Sequence, residues 1–360
     1  MSWISFVIIF FTSALLGWLL TLIARVLALR FSIVDSPTLP RKKHNFSTPL
    51  LGGSAIFFSF WLIMGCLYFF TNTFNKNIGW QQLLVLFLTS FGLVVLGLID
   101  DIKKISAKLR LLIISLVALV VVFLIVDLTA ITNPFGGILN LAWLDFALFG
   151  QRLIIIGDLV AFVWLIVITN TVKILDGLDG LATGISAIGA LVIFLLASTP
   201  KYFQPDVRMM ALVLAGVCFG FLILNFYPAK IFLGESGGLF LGFMVGILAI
   251  VSGGKIATAV LVLAIPILDL LWVIYNRAKN KESIFSGDRR HLHFRLLDSG
   301  MSHCQAVIFL YALAALFGVS ALVLPSFYKL LALISLVIIF FVVEKIISIK
   351  EIKHEKKQII

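Results

Sequence analysis

The stretch QQLLVLFLTSFGLVVLGLIDDIKKISAKLRLLIISLVALVVVFLIVDLTA, residues 81–130, decides the fold. Two apolar runs, 81–98 and 110–130, flank the polar insert GLIDDIKKISAKLR at 97–110. A helix needs about 20 mostly apolar residues to cross a bilayer core, so each run is long enough for one span. The segment reads as two helices that cross, turn through a charged loop and cross back.

Scanning outward for similar runs gives eleven spans: 3–29, 50–71, 81–98, 110–130, 152–170, 181–198, 208–226, 238–253, 256–275, 305–323 and 329–347. The first is too long for a signal-peptide core and no small-residue cleavage site follows it, so it reads as a retained span. Composition agrees. The chain is 61% hydrophobic and 12% charged, with a mean hydropathy of +1.15, whereas soluble domains carry about 25% charged residues. Those values exclude a soluble globular protein, a disordered chain, a collagen, a coiled coil and a secreted disulfide scaffold. Cys66, Cys218 and Cys304 are far apart and lack metal-ligand spacing. The expected fold is all-α: a polytopic integral membrane protein of about eleven transmembrane helices, with residues 1–360 forming one domain.

The formal charge is +11. With the N-terminus outside, the outer face receives Lys76, Arg152, Lys201, Arg208, Lys255 and Lys329, and the inner face the other 22 of the 28 Lys and Arg. Basic excess marks cytoplasmic loops, which orients the chain with its C-terminus in the cytoplasm of a cell-membrane protein. The charge therefore calls for membrane lipids and not for nucleic acid.

Five polar clusters interrupt the apolar background, all on the expected cytoplasmic side. The first, DSPTLPRKKHNFSTPLLGG at 35–53, gathers Arg41, Lys42, Lys43 and His44 between prolines that forbid a continuous helix. It suits a phosphate-bearing ligand, or else a basic loop attracted to anionic lipid. The second carries Asp100 and Asp101 at the end of a span, followed by Lys103, Lys104, Lys108 and Arg110. Such a pair can hold a divalent cation or accept a proton; the alternative is a solvated turn. The third, NTVKILDGLDGLATG at 170–184, holds Asn170, Lys173, Asp176 and Asp179. If helical, the two acids lie on neighbouring parts of one face.

The fourth, NFYPAKIFLGESGGLFLGF at 225–243, sets Glu235 among glycines at the start of a span, where free backbone N–H groups would favour phosphate. Phe232 is the nearest ring for a base. The fifth, at 266–300, concentrates Asp288, Arg289, Arg290, His291, His293 and Arg295, an anion clamp more naturally than a zinc site. Asp269, inside the preceding span, is a functional candidate because intramembrane acids are costly. Asp127, Asp145 and Asp158 lie towards the outer face and receive no chemistry. Carboxylates, cations and glycine turns at one membrane face point to a metal-assisted reaction on a phosphate substrate, since carboxylate-held Mg²⁺ is a usual partner of phosphates. Transporters instead place acids near the midplane.

In this order and spacing, from Asp35 to Gly300, the clusters resemble the polyprenyl-phosphate N-acetylhexosamine-1-phosphate transferases, with the phospho-MurNAc-pentapeptide translocases as a sister group. The resemblance implies Mg²⁺-dependent transfer of a sugar-1-phosphate, GlcNAc-1-phosphate by preference, from a UDP-N-acetylhexosamine to polyprenyl (undecaprenyl) phosphate with release of UMP. That is the first membrane step of cell-envelope polysaccharide synthesis. It also implies Mn²⁺ as a substitute metal and a homodimer. It assigns catalysis to Asp100, Asp101 and His291, and metal binding to Glu235 and Asp101. Substrate binding falls to Arg41, Lys42, His44, Lys108, Arg110, Asn170, Asp176, Asp179, Asn225, Phe232, Asp288, Arg289 and His293.

Three positions depart from the family pattern: Glu235 for an aspartate, Lys173 for an asparagine and Phe294 for a histidine. Asp100 is expected to act as a base, a nucleophile or a positioning group. A phosphate monoester is largely a dianion at neutral pH, so direct in-line attack is the economical route. The competing readings are the pentapeptide translocase and a non-enzymatic lipid-phosphate transporter or binding protein.

Overall fold

The computed structural model describes residues 3–35, 47–71, 78–148, 151–252, 256–284 and 289–358. The expected sites Arg41, Lys42, His44 and Asp288 lie outside the described residues. Among those described, eleven helices are long and apolar enough to span a membrane. In chain order they are α1 (Trp3–Arg30), α2 (Gly52–Phe70), α3 (Trp80–Lys103), α4 (Ala107–Ile125), α5 (Ile155–Leu175), α6 (Leu181–Ser198), α7 (Pro205–Asn225), α8 (Gly234–Val251), α9 (Ile256–Lys279), α11 (His303–Val323) and α12 (Ser326–Gln358), with a short α10 (Leu292–Asp298) before α11.

Strand pairing is confined to connections. β1 (Val34–Asp35) pairs antiparallel with β2 (Thr48–Pro49). β3 (Ala130–Thr132) and β4 (Ile138–Asn140) form one hairpin, and β5 (Asp145–Leu148) and β6 (Gln151–Ile154) another. The second carries Asp145 paired with Arg152 at 2.7 Å. The all-α expectation holds, and each expected span is met within a few residues.

Helix α8 is the centre of the bundle. Every residue from Gly234 to Ile250 is buried except Glu235. In lipid the hydrophobic effect does not pull apolar helices together, so small residues must let backbones approach for dispersion to act. Along α8, Gly238, Gly242 and Gly246 recur every four residues and face α5. A Cβ on Gly238 would stand 3.0 Å from Lys173 Cα, and one on Gly242 2.7 Å from Thr169 Cα. Gly53 of α2 meets the backbone of Gly237, and Gly97 of α3 that of Ser236. The same device joins α1 to α7, where a Cβ on Gly17 would lie 2.7 Å from Val217 O. Outward faces stay apolar, as Phe11, Leu15, Leu116, Leu119 and Ile338 show, which suits lipid. Buried hydroxyls return to their own helix: Ser13 Oγ donates to Ile9 O, and Ser59 Oγ to Ala55 O.

The up-and-down order brings the ends of α3, α5, α7 and α9 together with the starts of α2, α4, α6, α8 and α11. All five polar clusters have their described parts at this end.

Candidate active site

The α3–α4 turn is wound around Asp100. Lys104, in a left-handed conformation (φ 53°), closes α3 by donating its N–H to Asp100 O at 3.0 Å. Ile105 N donates to Asp100 Oδ1 at 2.6 Å, and Ser106 caps α4 by accepting from Leu109 N. That tight return carries Arg110 back onto Asp100, whose Oδ2 accepts from Nη1. Both oxygens of Asp100, which is 2% exposed, are thus engaged. Lys108, on the same turn, is exposed.

Asp101 faces α8. Its Oδ1 accepts the Glu235 N–H at 3.1 Å, and the Ser236 N–H supports the same carboxylate. Gly234 (φ 73°) allows this approach, since a Cβ there would lie 2.7 Å from Asp101 Oδ2. The Gly234 N–H meets Asp176. The first N–H groups of α8 are therefore already taken by two carboxyl groups of this chain. This corrects the expectation that its N–H groups await phosphate: the glycines serve close helix packing, and the first donors are taken.

Glu235 projects from the same turn between two cations. Lys173 Nζ stands 3.2 Å and Arg110 Nη1 3.7 Å from its Oε2. Asp176 and Asp179 do not share a helical face, because α5 stops at Leu175 and Gly180 (φ 80°) turns the chain before α6. Asp176 turns towards α8. Loss of water around it, then the charges of Glu235, Asp101 and Asp179, push its carboxyl well above the ordinary carboxylate range. Asp179 turns away and accepts the Ala229 N–H at 3.0 Å.

The 226–233 loop is laced to both neighbours. Asn225 is buried, receiving Thr183 Oγ1 at 3.1 Å and donating to Ile231 O at 3.0 Å. Phe232 N donates to Pro49 O at 2.8 Å, and its carbonyl accepts from Gly52 N. Its half-buried ring stands next in sequence to the Gly234–Glu235 turn. Asn170 donates to Ile166 O one turn back in α5.

The histidine segment closes another side. Asp269, flagged in the sequence without a role, accepts the Leu292 N–H at 2.8 Å and bonds His291 Nδ1 at 2.9 Å. It caps α10 and fixes the His291 ring. His293 packs its edge on Gly177, where a Cβ would strike Nε2 and lie 2.7 Å from Phe294 Cζ. Burial, then the neighbouring His291 and Arg289, hold His293 down to about 3, so it is neutral at physiological pH. Its Nε2 is buried with no hydrogen-bond partner among the described residues. Arg289 pairs with Asp298 at 2.8 Å and lies over the Phe294 ring.

Two nearby contacts carried no sequence signal. Tyr311 OH donates to Gly180 O at 2.5 Å, and His303 stacks on Tyr227 at 4.3 Å between centroids. Neither recurs at a telling spacing.

The donor set suits a hard divalent cation. Asp101 Oδ2 is buried and accepts no hydrogen bond among the described residues. Carboxylate oxygens of Asp176 and Glu235 surround the same turn. No group of three His, Cys, Asp or Glu among the described residues forms a ready metal cage. Mg²⁺ fits that pattern, because it is commonly held by one or two carboxylates plus substrate phosphates.

The chain is similar in sequence to known proteins. Glycosyl transferase family 4 matches residues 83–253, which include Asp100, Asp101, Asp176 and Glu235. A Bacillus subtilis protein named probable undecaprenyl-phosphate N-acetylglucosaminyl 1-phosphate transferase is 32% identical over 98% of this chain and 94% of its own. A decaprenyl-phosphate N-acetylglucosaminephosphotransferase of Mycobacterium tuberculosis is 31% identical over 83% of this chain and 78% of its own. A phospho-N-acetylmuramoyl-pentapeptide-transferase of Halalkalibacterium halodurans is 29% identical over 81% and 86%.

Proposed function

Since this chain belongs to glycosyl transferase family 4, we propose that it transfers N-acetylhexosamine-1-phosphate, GlcNAc-1-phosphate by preference, from a UDP-sugar to a polyprenyl phosphate and releases UMP. Sugar-1-phosphate transfer to a polyprenyl phosphate is the reaction named for relatives along nearly the whole chain. The observation that carries the reading is the meeting of Asp101, Asp176 and Glu235 with Arg110 and Lys173 at one end of the bundle. That end is cytoplasmic by its Lys and Arg excess, with the N-terminus outside.

In the reaction an oxygen of the lipid phosphate attacks the sugar-side phosphorus of the donor. The bond from that phosphorus to the bridging oxygen breaks, and the bridging oxygen leaves on UMP. The attacking phosphate is largely dianionic at pH 7, so no strong base is required. Asp100, with both oxygens occupied, positions Arg110 beside the reacting phosphates; this favours the positioning role over base or nucleophile. Asp269 holds His291 in one orientation at the rim. Phe232 offers a ring to the uracil. Asp101 and Glu235 would hold Mg²⁺, which when bound supplies positive charge against the diphosphate and the departing UMP.

The test is UMP release by purified protein across a panel of UDP-sugars, with polyprenyl phosphate and Mg²⁺ each omitted in turn. Release with a UDP-N-acetylhexosamine that needs both supports the reading. Preference for UDP-MurNAc-pentapeptide would favour the translocase, and no turnover with any donor would favour a binding protein.

A further inference from the structure

Lys173 occupies the last turn of α5, where Gly238 brings α8 against its Cα. Its side chain is 13% exposed, and among the described residues its ion pair is with Glu235, at 3.2 Å. Arg110 approaches the same oxygen, but its guanidinium is already held by Asp100. The two cations therefore differ in freedom. Arg110 is anchored to the α3–α4 turn by Asp100, whereas Lys173 carries its point charge on a flexible four-carbon stem with Glu235 as its partner among the described residues.

Asp100 and Glu235 meet these two cations, and the charge of Glu235 is felt in turn by Asp101 and Asp176. The first N–H groups of α8 are spent on Asp101 and Asp176. Incoming phosphate oxygens must then be met by side-chain cations or by metal. Glu235 Oε2 cannot fully serve an ammonium and a divalent cation at once.

We infer that Lys173 is the resident counter-ion of Glu235, that it yields the carboxylate when a divalent cation binds there, and that its ammonium then turns to the donor's diphosphate. The inference rests on the reading of Glu235 as a metal-holding acid. It gives Lys173 two opposite effects: it weakens metal binding in the free protein and strengthens donor binding in the metal-loaded one. A lysine that merely braced α5 against α8 would shift neither in this pattern.

The test is Mn²⁺ titration by electron paramagnetic resonance on the purified full chain without substrate, comparing wild type, Lys173→Met, Lys173→Gln and Glu235→Gln. Both Lys173 variants should bind Mn²⁺ about tenfold more tightly, the scale on which partners of a ligand tune metal affinity. At saturating Mn²⁺ they should bind UDP about tenfold more weakly by calorimetry, as loss of one charge-assisted contact requires. Unchanged or weaker Mn²⁺ affinity in both variants overturns the inference, and so does unchanged UDP affinity. If wild type binds Mn²⁺, Glu235→Gln loses it and the Lys173 variants match wild type, only the role of Lys173 falls. If no protein binds Mn²⁺, the reading of Glu235 falls with it.

Discussion

Asp101 and Glu235 are 134 residues apart, yet an oxygen of the first accepts the backbone N–H of the second at 3.1 Å. That bond ties the end of α3 to the start of α8 and keeps the Asp101 carboxylate beside the turn that projects Glu235. Asp100, the adjacent residue, faces Arg110 instead. Neighbouring acids thus have separate tasks, one at the helix end and one at the cation.

This division predicts that Asp100→Asn and Asp101→Asn each reduce UMP release by at least about 100-fold. The protein should stay monodisperse in detergent, because asparagine keeps the shape and most acceptor capacity. Wild-type rates in both variants would reduce the pair to a structural cap and move the chemistry to Asp176.

Glu235→Gln should also stop turnover, while Glu235→Asp should keep part of it with a raised Mg²⁺ requirement. Glutamine preserves size and hydrogen bonding but is a poor ligand for a hard cation. The check is Mg²⁺ titration of UMP release for the three proteins. A Gln variant with the rate and Mg²⁺ dependence of wild type would falsify the metal role of Glu235.

Much of this arrangement was legible in the sequence. The spans were, because 20-residue apolar runs are local and each is bounded by polar turns. The gathering of the polar clusters at one end of the bundle was legible too, since Asp100, Asp176, Glu235 and His291 all follow or precede spans on the same side. What escaped depends on contacts between distant segments. Nothing near Gly234 announces that Asp101 and Asp176 occupy its helix start, or that Lys173 reaches Glu235. Asp176 and Asp179 read as helical neighbours because three-residue spacing permits it; Gly177 and Gly180 instead make a turn and send the two carboxylates to different partners. Asp269 stood out only by the cost of an acid inside a span, and its duty became visible when α10 folded over it.

Asp269→Asn should lower kcat by about 100-fold, on the scale of a misplaced acid–base group, with a small change in KM. The amide still accepts from Leu292 N–H but no longer offers His291 Nδ1 a carboxylate. Thermal stability should change little, whereas Asp269→Ala should also destabilise by about 1 kcal/mol through loss of the α10 cap. Steady-state kinetics and melts of both variants check this. An unchanged kcat in Asp269→Asn would remove His291 orientation from the account.

Low pH should destabilise the protein through His293. Its folded pKa is held down to about 3, against 6.5 for an unperturbed histidine. The unfolded chain therefore takes up a proton at higher pH than the folded one. Stability is complete above about pH 6.5 and falls as pH drops towards 3, by up to ~1.4 kcal/mol per unit from this one group. Melts in detergent at about pH 7 and pH 5 should show a larger loss for wild type than for His293→Gln. Equal losses would mean that His293 is protonated in the fold.

The most direct measurement of the central claim follows the phosphorus that moves. Purified protein is incubated with UDP-GlcNAc labelled with ³²P at the sugar-side phosphate, together with undecaprenyl phosphate and Mg²⁺. Sugar-1-phosphate transfer predicts that the label enters the organic-soluble lipid while unlabelled UMP appears in equal amount. Release of labelled UDP, with the label remaining in the aqueous phase as unlabelled sugar reaches the lipid, would contradict it.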